Sequence, residues 1–305
     1  MRAAVVGVGH LGRHHARILG SLPGITLAGV VDSNRERAAQ IAAEFGTTAF
    51  AAAAEIGQLD LAVIAVPTES HAAIALPLIK SGVHTLIEKP IAQTVAEADE
   101  LIAAAKHAGV VLAVGHSERF NPAVVAARPY LNDPRFIEVH RLGTQLGRSL
   151  DIDVVLDLMI HDLDLILSFV KSSVESVEAV GVPVLTPKVD IANARIRFAN
   201  GCIANLTASR ISKDQVRKIR FFQRERYVSI DTAAREVEMF QLVAQPEGLQ
   251  KIDGGKQAVA GEEPLKSELD DFVAAVRERR APAVPGEQGR AALALAVRIV
   301  ELMRQ

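Results

Sequence analysis

Cysteine is nearly absent from this chain: Cys202 stands alone, so no internal disulfide can form. Its apolar neighbours Ile203 and Ala204 mark it as a small residue in a buried strand, and a reducing cytoplasm is the compartment that fits. An excess of either charge is missing too. The 34 basic residues against 36 acidic ones leave a formal charge of -2, which gives no electrostatic footprint for nucleic acid or an anionic membrane. No apolar run approaches the ~20 residues that a membrane helix needs. Met1 and Arg2 run straight into AAVVG, without the apolar core and cleavage site of a signal peptide. Internal repeats and low-complexity tails are also lacking. What is present is a 305-residue chain, 49% hydrophobic and long for a single core, for which one or two domains are expected.

Residues 3–6 read as a short buried strand, followed at once by GVGHLG and a helical pattern. Each glycine has a task there. Gly7 permits the tight turn, Gly9 lets backbone approach a pyrophosphate, and Gly12 allows close packing of helix on strand, while the helix start contributes N–H donors and positive dipole. His10 and Leu11 lie in the same turn. A second strand at 26–31 ends on Asp32, where an acidic side chain accepts from the adenosine ribose; Ser33 follows it. Asp32 would repel a 2'-phosphate, so NAD is expected over NADP. Arg35 and Arg37 are the counterargument, either pairing that phosphate or lying on the exposed face of the next helix.

The strand–helix alternation continues. Strands are expected at 59–66, in the stretch ending at Glu88 and at 110–114, with helices at 69–80 and 95–107. In AVPTESH, Val66 closes a strand, Pro67 stops the ladder, and Thr68 and His71 point into the crevice, with a histidine on a helix face as the alternative for His71. The organising stretch is HTLIEKP at 84–90. Thr85, Leu86 and Ile87 form strand, and Pro90 turns the chain out of the sheet, which puts Lys89 at a carboxyl end, where open parallel sheets receive ligands. The competing reading is a surface lysine. Glu88 is grouped with the cofactor-binding residues.

After GHSERFNPAV the parallel-sheet pattern stops, and a domain boundary is expected near Glu118. From Leu150, LDIDVVLDLMIHDLDLILSFV has helical period, with Asp153, Asp157, His161 and Asp164 sharing one face that should line a cavity. A metal site lacks its ligand set, since one histidine with carboxylates is too few, and no metal is expected. The chemical alternative is acid–base work, in which His161 moves a proton while Asp157 orients its ring; the structural one is a histidine satisfied by a carboxylate one turn away.

GVGHLG, AVPTESH, Glu88-Lys89-Pro90 and Asp157 with His161 together resemble the Gfo/Idh/MocA family of nicotinamide-dependent sugar and polyol dehydrogenases, across nearly the whole chain. The resemblance implies an α/β chain: a Rossmann doubly wound parallel sheet at 1–118, then a substrate-binding α/β domain at 119–305 built on an open, mainly antiparallel sheet. It also implies a sugar or nucleotide-sugar substrate held between them, with Lys89 and His161 flanking the reacting carbinol, Asp157 as their partner, and a cis bond before Pro90. Oxidising a secondary alcohol requires a base for the hydroxyl proton; the unperturbed pKa of a histidine lies near physiological pH, which favours His161, and a protonated Lys89 would hydrogen-bond the alkoxide, with reversed or shared roles left open. GHSERFNPA and RSLDIDVVLDLMIHDLD are similar to members of that family that oxidise the 3-hydroxyl of UDP-N-acetylglucosamine. Arg119, Asn121 and Arg148 are then candidates to hold diphosphate or sugar oxygens, or else surface residues and a helix cap.

The remainder reads as scaffold. Strands are expected at 136–140, 174–184, 191–198 and 202–211, with Asn200-Gly201 as a hairpin turn, and charged strands at 217–231. A Gly-rich loop covers 243–262. Leu265, Leu269, Phe272 and Val276 stripe one closing helix, and Leu295, Ile299 and Leu302 the other. By resemblance, the open sheet face meets its copy, giving a homodimer or homotetramer.

Overall fold

The structure, a computed structural model, describes residues 1–144, 152–246 and 250–304. It divides into two compact units, Met1–Ser117 with Leu265–Leu293, and Glu118–Pro264 with Ala294–Gln305. The first unit opens with β1 (Arg2–Val6), α1 (His10–Ser21), β2 (Thr26–Val31), α2 (Arg35–Glu44), β3 (Ala49–Phe50), β4 (Leu61–Ile64), α3 (His71–Lys80), β5 (His84–Glu88), α4 (Val95–Ala108) and β6 (Leu112–Gly115). All pairings among the six strands are parallel, in the order β3-β2-β1-β4-β5-β6. The strands are near-continuous apolar runs because helices cover both faces of such a sheet: Leu61, Ala62, Val63 and Ile64 are all fully buried. The order reverses between β1 and β4, and beside that point the carboxyl ends of β1, β2, β4 and β5 deliver Gly7, Asp32, Val66 and Lys89 to one edge of the sheet.

The second unit holds α5 (Pro122–Ala127), β7 (Phe136–Thr144), a π-helical turn at Val155–Met159 running into α6 (Ile160–Phe169), and strands β8 (Val174–Val182), β9 (Ile191–Phe198), β10 (Ile203–Ser209), β11 (Ile211–Phe222), β12 (Arg226–Asp231), β13 (Glu236–Ala244) and β14 (Gln250–Lys256). These strands form an eight-stranded sheet in the order β14-β13-β12-β11-β7-β10-β9-β8, antiparallel except where β10 runs beside β7. In β9 side chains alternate between the two faces: Ala192, Ala194, Ile196 and Phe198 are buried, and Asn193, Arg195 and Arg197 exposed. The Asn200-Gly201 turn closes the β9–β10 hairpin, with Gly201 at φ +82° and Asn200 Oδ1 accepting from the Cys202 amide. Burial pushes the Cys202 thiol up to about 11, as befits an inert core residue.

Two expectations need correction. The Gly-rich stretch at 243–262 is not simply a loop, because Gln250–Lys256 pairs antiparallel with β13. Its glycines are what let it pair: a Cβ on Gly254 would stand 2.0 Å from Met239 O, and the φ of +142° there is one that L side chains rarely adopt. The second correction concerns the boundary. The chain does leave the first sheet near Glu118, but Leu265–Leu293 returns to the first unit. Leu269, Phe272 and Val273 of α7 (Pro264–Glu278) join Val5, Leu19, Leu61 and Leu86 in one core, so the apolar stripe on this helix serves the first unit. The last helix, α8 (Gly286–Leu302), buries Leu295 and Ile299 as its own stripe foretold.

An acid sensitivity is built into the second unit. Asp190 is fully buried and accepts the amides of Val184, Leu185 and Thr186 on Oδ2 and the Thr186 hydroxyl on Oδ1. Burial opposes its charge, but those donors prevail and hold it at about 2. A carboxylate depressed from about 3.9 to that value stabilises the fold by about 2.6 kcal/mol; the contribution is complete above about pH 5 and is lost as pH falls through 2. Denaturant midpoints should therefore drop between roughly pH 5 and pH 2, and Asp190→Asn should flatten the decline; equal slopes would remove any role of Asp190.

Candidate active site

In the first unit the glycine turn is built as its sequence implies. Gly7 has φ +86°, and a Cβ there would lie 2.6 Å from Ala65 O. A Cβ on Gly12 would collide with Gly7 O at 1.7 Å, so α1 packs directly on the turn. Gly9 differs, with nothing within 4 Å of its imagined Cβ and no side-chain cap on the helix start that it precedes. That opening, backed by a helix amino end, is the shape and polarity that a dinucleotide pyrophosphate requires. His10 and Leu11 are exposed at the same helix start. The residues present therefore fit a nicotinamide dinucleotide.

Asp32 is almost fully buried at the end of β2. Its Oδ2 accepts from the Val8 amide (2.9 Å) and Arg37 Nε (3.0 Å), and its Oδ1 from the Asn34 amide (2.8 Å) and Arg37 Nη2 (2.7 Å). Burial alone would raise its pKa; the guanidinium and the two amides outweigh it and hold the carboxylate below its usual range. A carboxylate has about four acceptor sites, and all four are taken. A ribose hydroxyl reaching Asp32 must displace Arg37, whose side chain is 45% exposed and so able to move. Ser33 beside it is exposed.

After β4, Val66 and Thr68 are half-buried and Pro67 is exposed, all at the carboxyl edge. His71 is placed otherwise than expected. Its ring is buried, with Nδ1 2.9 Å from Pro90 O and Nε2 2.9 Å from Val66 O, so it braces two loops instead of presenting a nitrogen to a ligand. Burial pushes its pKa down, against those carbonyls and the charge of Glu88, which favour the cation. A neutral ring can donate to only one of the two carbonyls. Lys89 is half-buried at the end of β5, and the Lys89–Pro90 bond is cis, as the resemblance implied. Glu88 turns inward: its Oε1 meets His15 Nε2 at 2.7 Å, and its Oε2 accepts the Lys89 amide at 3.2 Å. Opposition by burial is overcome by His15 and by the charge of Lys89, which keep Glu88 ionised below its usual range.

In the second unit, the segment bearing Asp157 and His161 begins at Val154, later than the expected start at Leu150, which lies outside the described residues together with Arg148. Asp153 marks its start. Asp153 Oδ1 accepts the Val189 amide, the Val154 amide donates to Val189 O, and Arg210 donates to Ile152 O, so the ends of β9 and β10 fix where the helix begins. Asp157 lies in the π-helical turn and His161 in the first turn of α6, both half-buried. Widened turns of this kind recur at functional sites. The polar face expected to line a cavity is divided. Asp164 is buried against Arg119, which forks onto it through Nε (2.5 Å) and Nη2 (2.8 Å). Arg119 is thus committed to Asp164, and its assignment to substrate phosphate is corrected. Asn121 is likewise structural, capping α5 through the Ala123 amide and donating to Thr232 O.

Sequence reasoning missed several residues. Asp162, beside His161, is buried and gripped by Arg141 of β7 through Nε (2.7 Å) and Nη2 (2.8 Å), while Arg141 Nη1 reaches Glu118 (3.2 Å). His15 was missed as well, although a histidine on the apolar face shared by Gly12, Ala16, Ile18 and Leu19 was a legible signal. Among the described residues no helix is long and apolar enough to cross a membrane.

Comparison with known proteins agrees with this geometry. Residues 1–116 match the oxidoreductase family with an NAD-binding Rossmann fold, and residues 96–226 match the GFO/IDH/MocA C-terminal domain. The chain is 40% identical over 302 residues to UDP-N-acetylglucosamine 3-dehydrogenase of Acidithiobacillus ferrooxidans, covering 98% of this chain and 96% of that one. A solved structure of that enzyme matches with a TM-score of 0.93 at 38% identity, over 100% of this chain and 99% of its own. Levoglucosan dehydrogenase in complex with NADH shares the fold, with a TM-score of 0.88 at 18% identity, over 100% and 97%. The scyllo-inositol 2-dehydrogenase (NAD(+)) of Bacillus subtilis is 28% identical over 238 residues, covering 70% and 68%. With matches to both of its domains and a relative aligned along almost its whole length, the chain belongs to the Gfo/Idh/MocA family and is an NAD(P)-dependent dehydrogenase.

Proposed function

We propose that this dehydrogenase oxidises the 3-hydroxyl of UDP-N-acetylglucosamine, with NAD as the hydride acceptor. The observation that carries the proposal is the 40% identity, along nearly the full length of both chains, to an enzyme named for that reaction. Residues 7–12, Asp32 and Ser33, and the edge formed by Val66, Pro67 and Thr68 hold the dinucleotide, and His71 braces that edge from behind. When bound, the nicotinamide supplies the two-electron acceptor for the hydrogen on the carbinol carbon. His161 takes the hydroxyl proton, Asp157 orients its ring and steadies the imidazolium, and Lys89 donates a hydrogen bond to the oxygen as negative charge develops on it. Arg148 remains the candidate for diphosphate recognition. Incubating the protein with NAD and a panel of UDP-sugars, free aldoses and inositols, while following NADH absorbance, tests the reading: the largest rate should come with UDP-N-acetylglucosamine, and a faster rate with a free sugar or inositol would replace it.

The preference for NAD is supported by the buried Asp32 carboxylate, which disfavours a 2'-phosphate. Arg37 opposes it, as the cation that such a phosphate would meet once displaced from Asp32. NADH should bind more tightly than NADPH, and Arg37→Ala should widen the ratio of dissociation constants by about tenfold through loss of a charge-assisted contact on the NADPH side. A wild-type preference for NADPH would reverse the assignment. The sheet of the second unit is the proposed surface for a homodimer or homotetramer: Phe222 and Phe240 are 36% and 37% exposed and join Tyr227 in a row of ring contacts across β11, β12 and β13. An elution mass of a monomer would count against that surface.

A further inference from the structure

We propose that His15, acting through Glu88, is a positioning residue for Lys89. The inference rests on the reading of Lys89 as a catalytic group and adds what holds it in place. Glu88 is the last residue of β5, opposite Gly115 of β6, where a Cβ would stand 2.9 Å from Glu88 Oε2. The glycine clears the space into which the carboxylate turns. Once there, the carboxylate joins two elements: Oε1 faces His15 Nε2 of α1 at 2.7 Å, and Oε2 accepts the Lys89 amide at 3.2 Å. An ionised carboxylate only accepts, so Nε2 carries the proton of the first contact. The peptide nitrogen of Lys89 is thereby tied to the helix that begins at the glycine turn. On the other side of Lys89, the carbonyl of Pro90 lies 2.9 Å from Nδ1 of His71. The backbone at Lys89 therefore sits between two anchors, each ending in a buried histidine.

Glu268 of α7 is the third member of this cluster. One ligand atom each from His15, Glu88 and Glu268 lie within 4.8 Å of one another, and all three residues are buried. An imidazole with two carboxylates could in principle hold a divalent metal. The distances favour a proton. Two ligands on one tetrahedral zinc at its usual bond lengths stand roughly 3.3 Å apart, whereas the 2.7 Å from His15 Nε2 to Glu88 Oε1 is that of a charge-assisted hydrogen bond. His15 Nδ1 is buried and has no hydrogen-bond partner among the described residues. Holding a histidine in that state costs stability, which is understandable if Nε2 is needed where it is.

The test compares His15→Met, which keeps bulk without a donor, with His15→Gln, which restores one, and with Glu88→Gln, which keeps shape and removes charge. Turnover of UDP-N-acetylglucosamine with NAD should fall about 10- to 100-fold in His15→Met and Glu88→Gln, the range for a displaced reacting group. KM and the NADH dissociation constant should stay within about threefold, since no binding contact is removed. His15→Gln should recover most of the rate, and the double variant should be no worse than Glu88→Gln alone. A readout independent of substrate is the NMR signal of Lys89 after 13C reductive methylation of the NADH complex, assigned by its loss in Lys89→Arg. It should shift or broaden in His15→Met and return in His15→Gln. Unchanged turnover and an unchanged Lys89 signal in His15→Met, with Lys89→Ala inactive, would overturn the positioning role and leave the reading of Lys89 standing. An active Lys89→Ala would overturn both. Stoichiometric metal in the purified enzyme, lost in Glu268→Gln, would replace the proton with an ion and overturn the inference.

Discussion

Lys89→Ala and His161→Ala are each expected to lower turnover by about 100-fold or more, the usual effect of removing a positioned proton donor or acceptor, while NADH affinity stays nearly intact. The asymmetry follows from where the two residues lie. Lys89 stands at the carboxyl edge of β5, beyond the glycine turn and Asp32, and His161 belongs to the second unit altogether. Neither supplies a donor to the pyrophosphate or the ribose in the proposed arrangement. Single-turnover measurement of NADH formation, beside a fluorescence titration of NADH, separates the two quantities. Near wild-type turnover in either variant would discard that residue's role. A matched rise in the NADH dissociation constant would instead make it a cofactor ligand.

The second large effect is on stability. Arg141→Met should destabilise the fold by about 3–5 kcal/mol, because it leaves the carboxylates of Asp162 and Glu118 without the guanidinium between them. Arg141 and Asp162 are both almost fully buried. Burial pushes the pKa of Asp162 up even with Arg141 present, while the two carboxylates raise that of Arg141. Without the cation, protonation is the cheapest way to remove the uncompensated charge, and burial already raises that carboxyl, so the deficit should shrink as pH falls from 7 towards roughly 4, the ordinary carboxyl range. Arg141→Lys should not restore the loss, since an ammonium cannot make the two parallel bonds to Asp162. Urea midpoints at pH 7 and pH 4 measure both statements, and a change under 1 kcal/mol, about the size for an exposed pair, would mean that the three groups are solvated.

The parts of this molecule that the sequence makes legible are those whose physics is local. The turn at Gly7, Gly9 and Gly12 is dictated by backbone clearance, and it sits where GVGHLG says it must. The apolar runs of the first sheet and the alternation in β9 follow from burial on two faces or on one. What the sequence withheld depends on long-range pairing. Arg119 and Asp164 are 45 residues apart, and nothing near either shows that each satisfies the other instead of a ligand. The cluster of His15, Glu88 and Glu268 joins three distant segments. The π-helical turn at Val155–Met159 was hidden because an apolar stretch with helical period reads the same for either winding.

The return of Leu265–Leu293 to the first unit sets an order on how this protein can be made. Leu269, Phe272 and Val273 complete a core whose other members were synthesised more than 150 residues earlier, Leu86 and Ala113 among them. On the ribosome the nucleotide-binding half must wait, incompletely sealed, while Glu118–Pro264 of the second unit emerges. A fragment ending at the first domain's apparent boundary would carry that exposed apolar seam permanently, and would be expected to aggregate where the full chain does not.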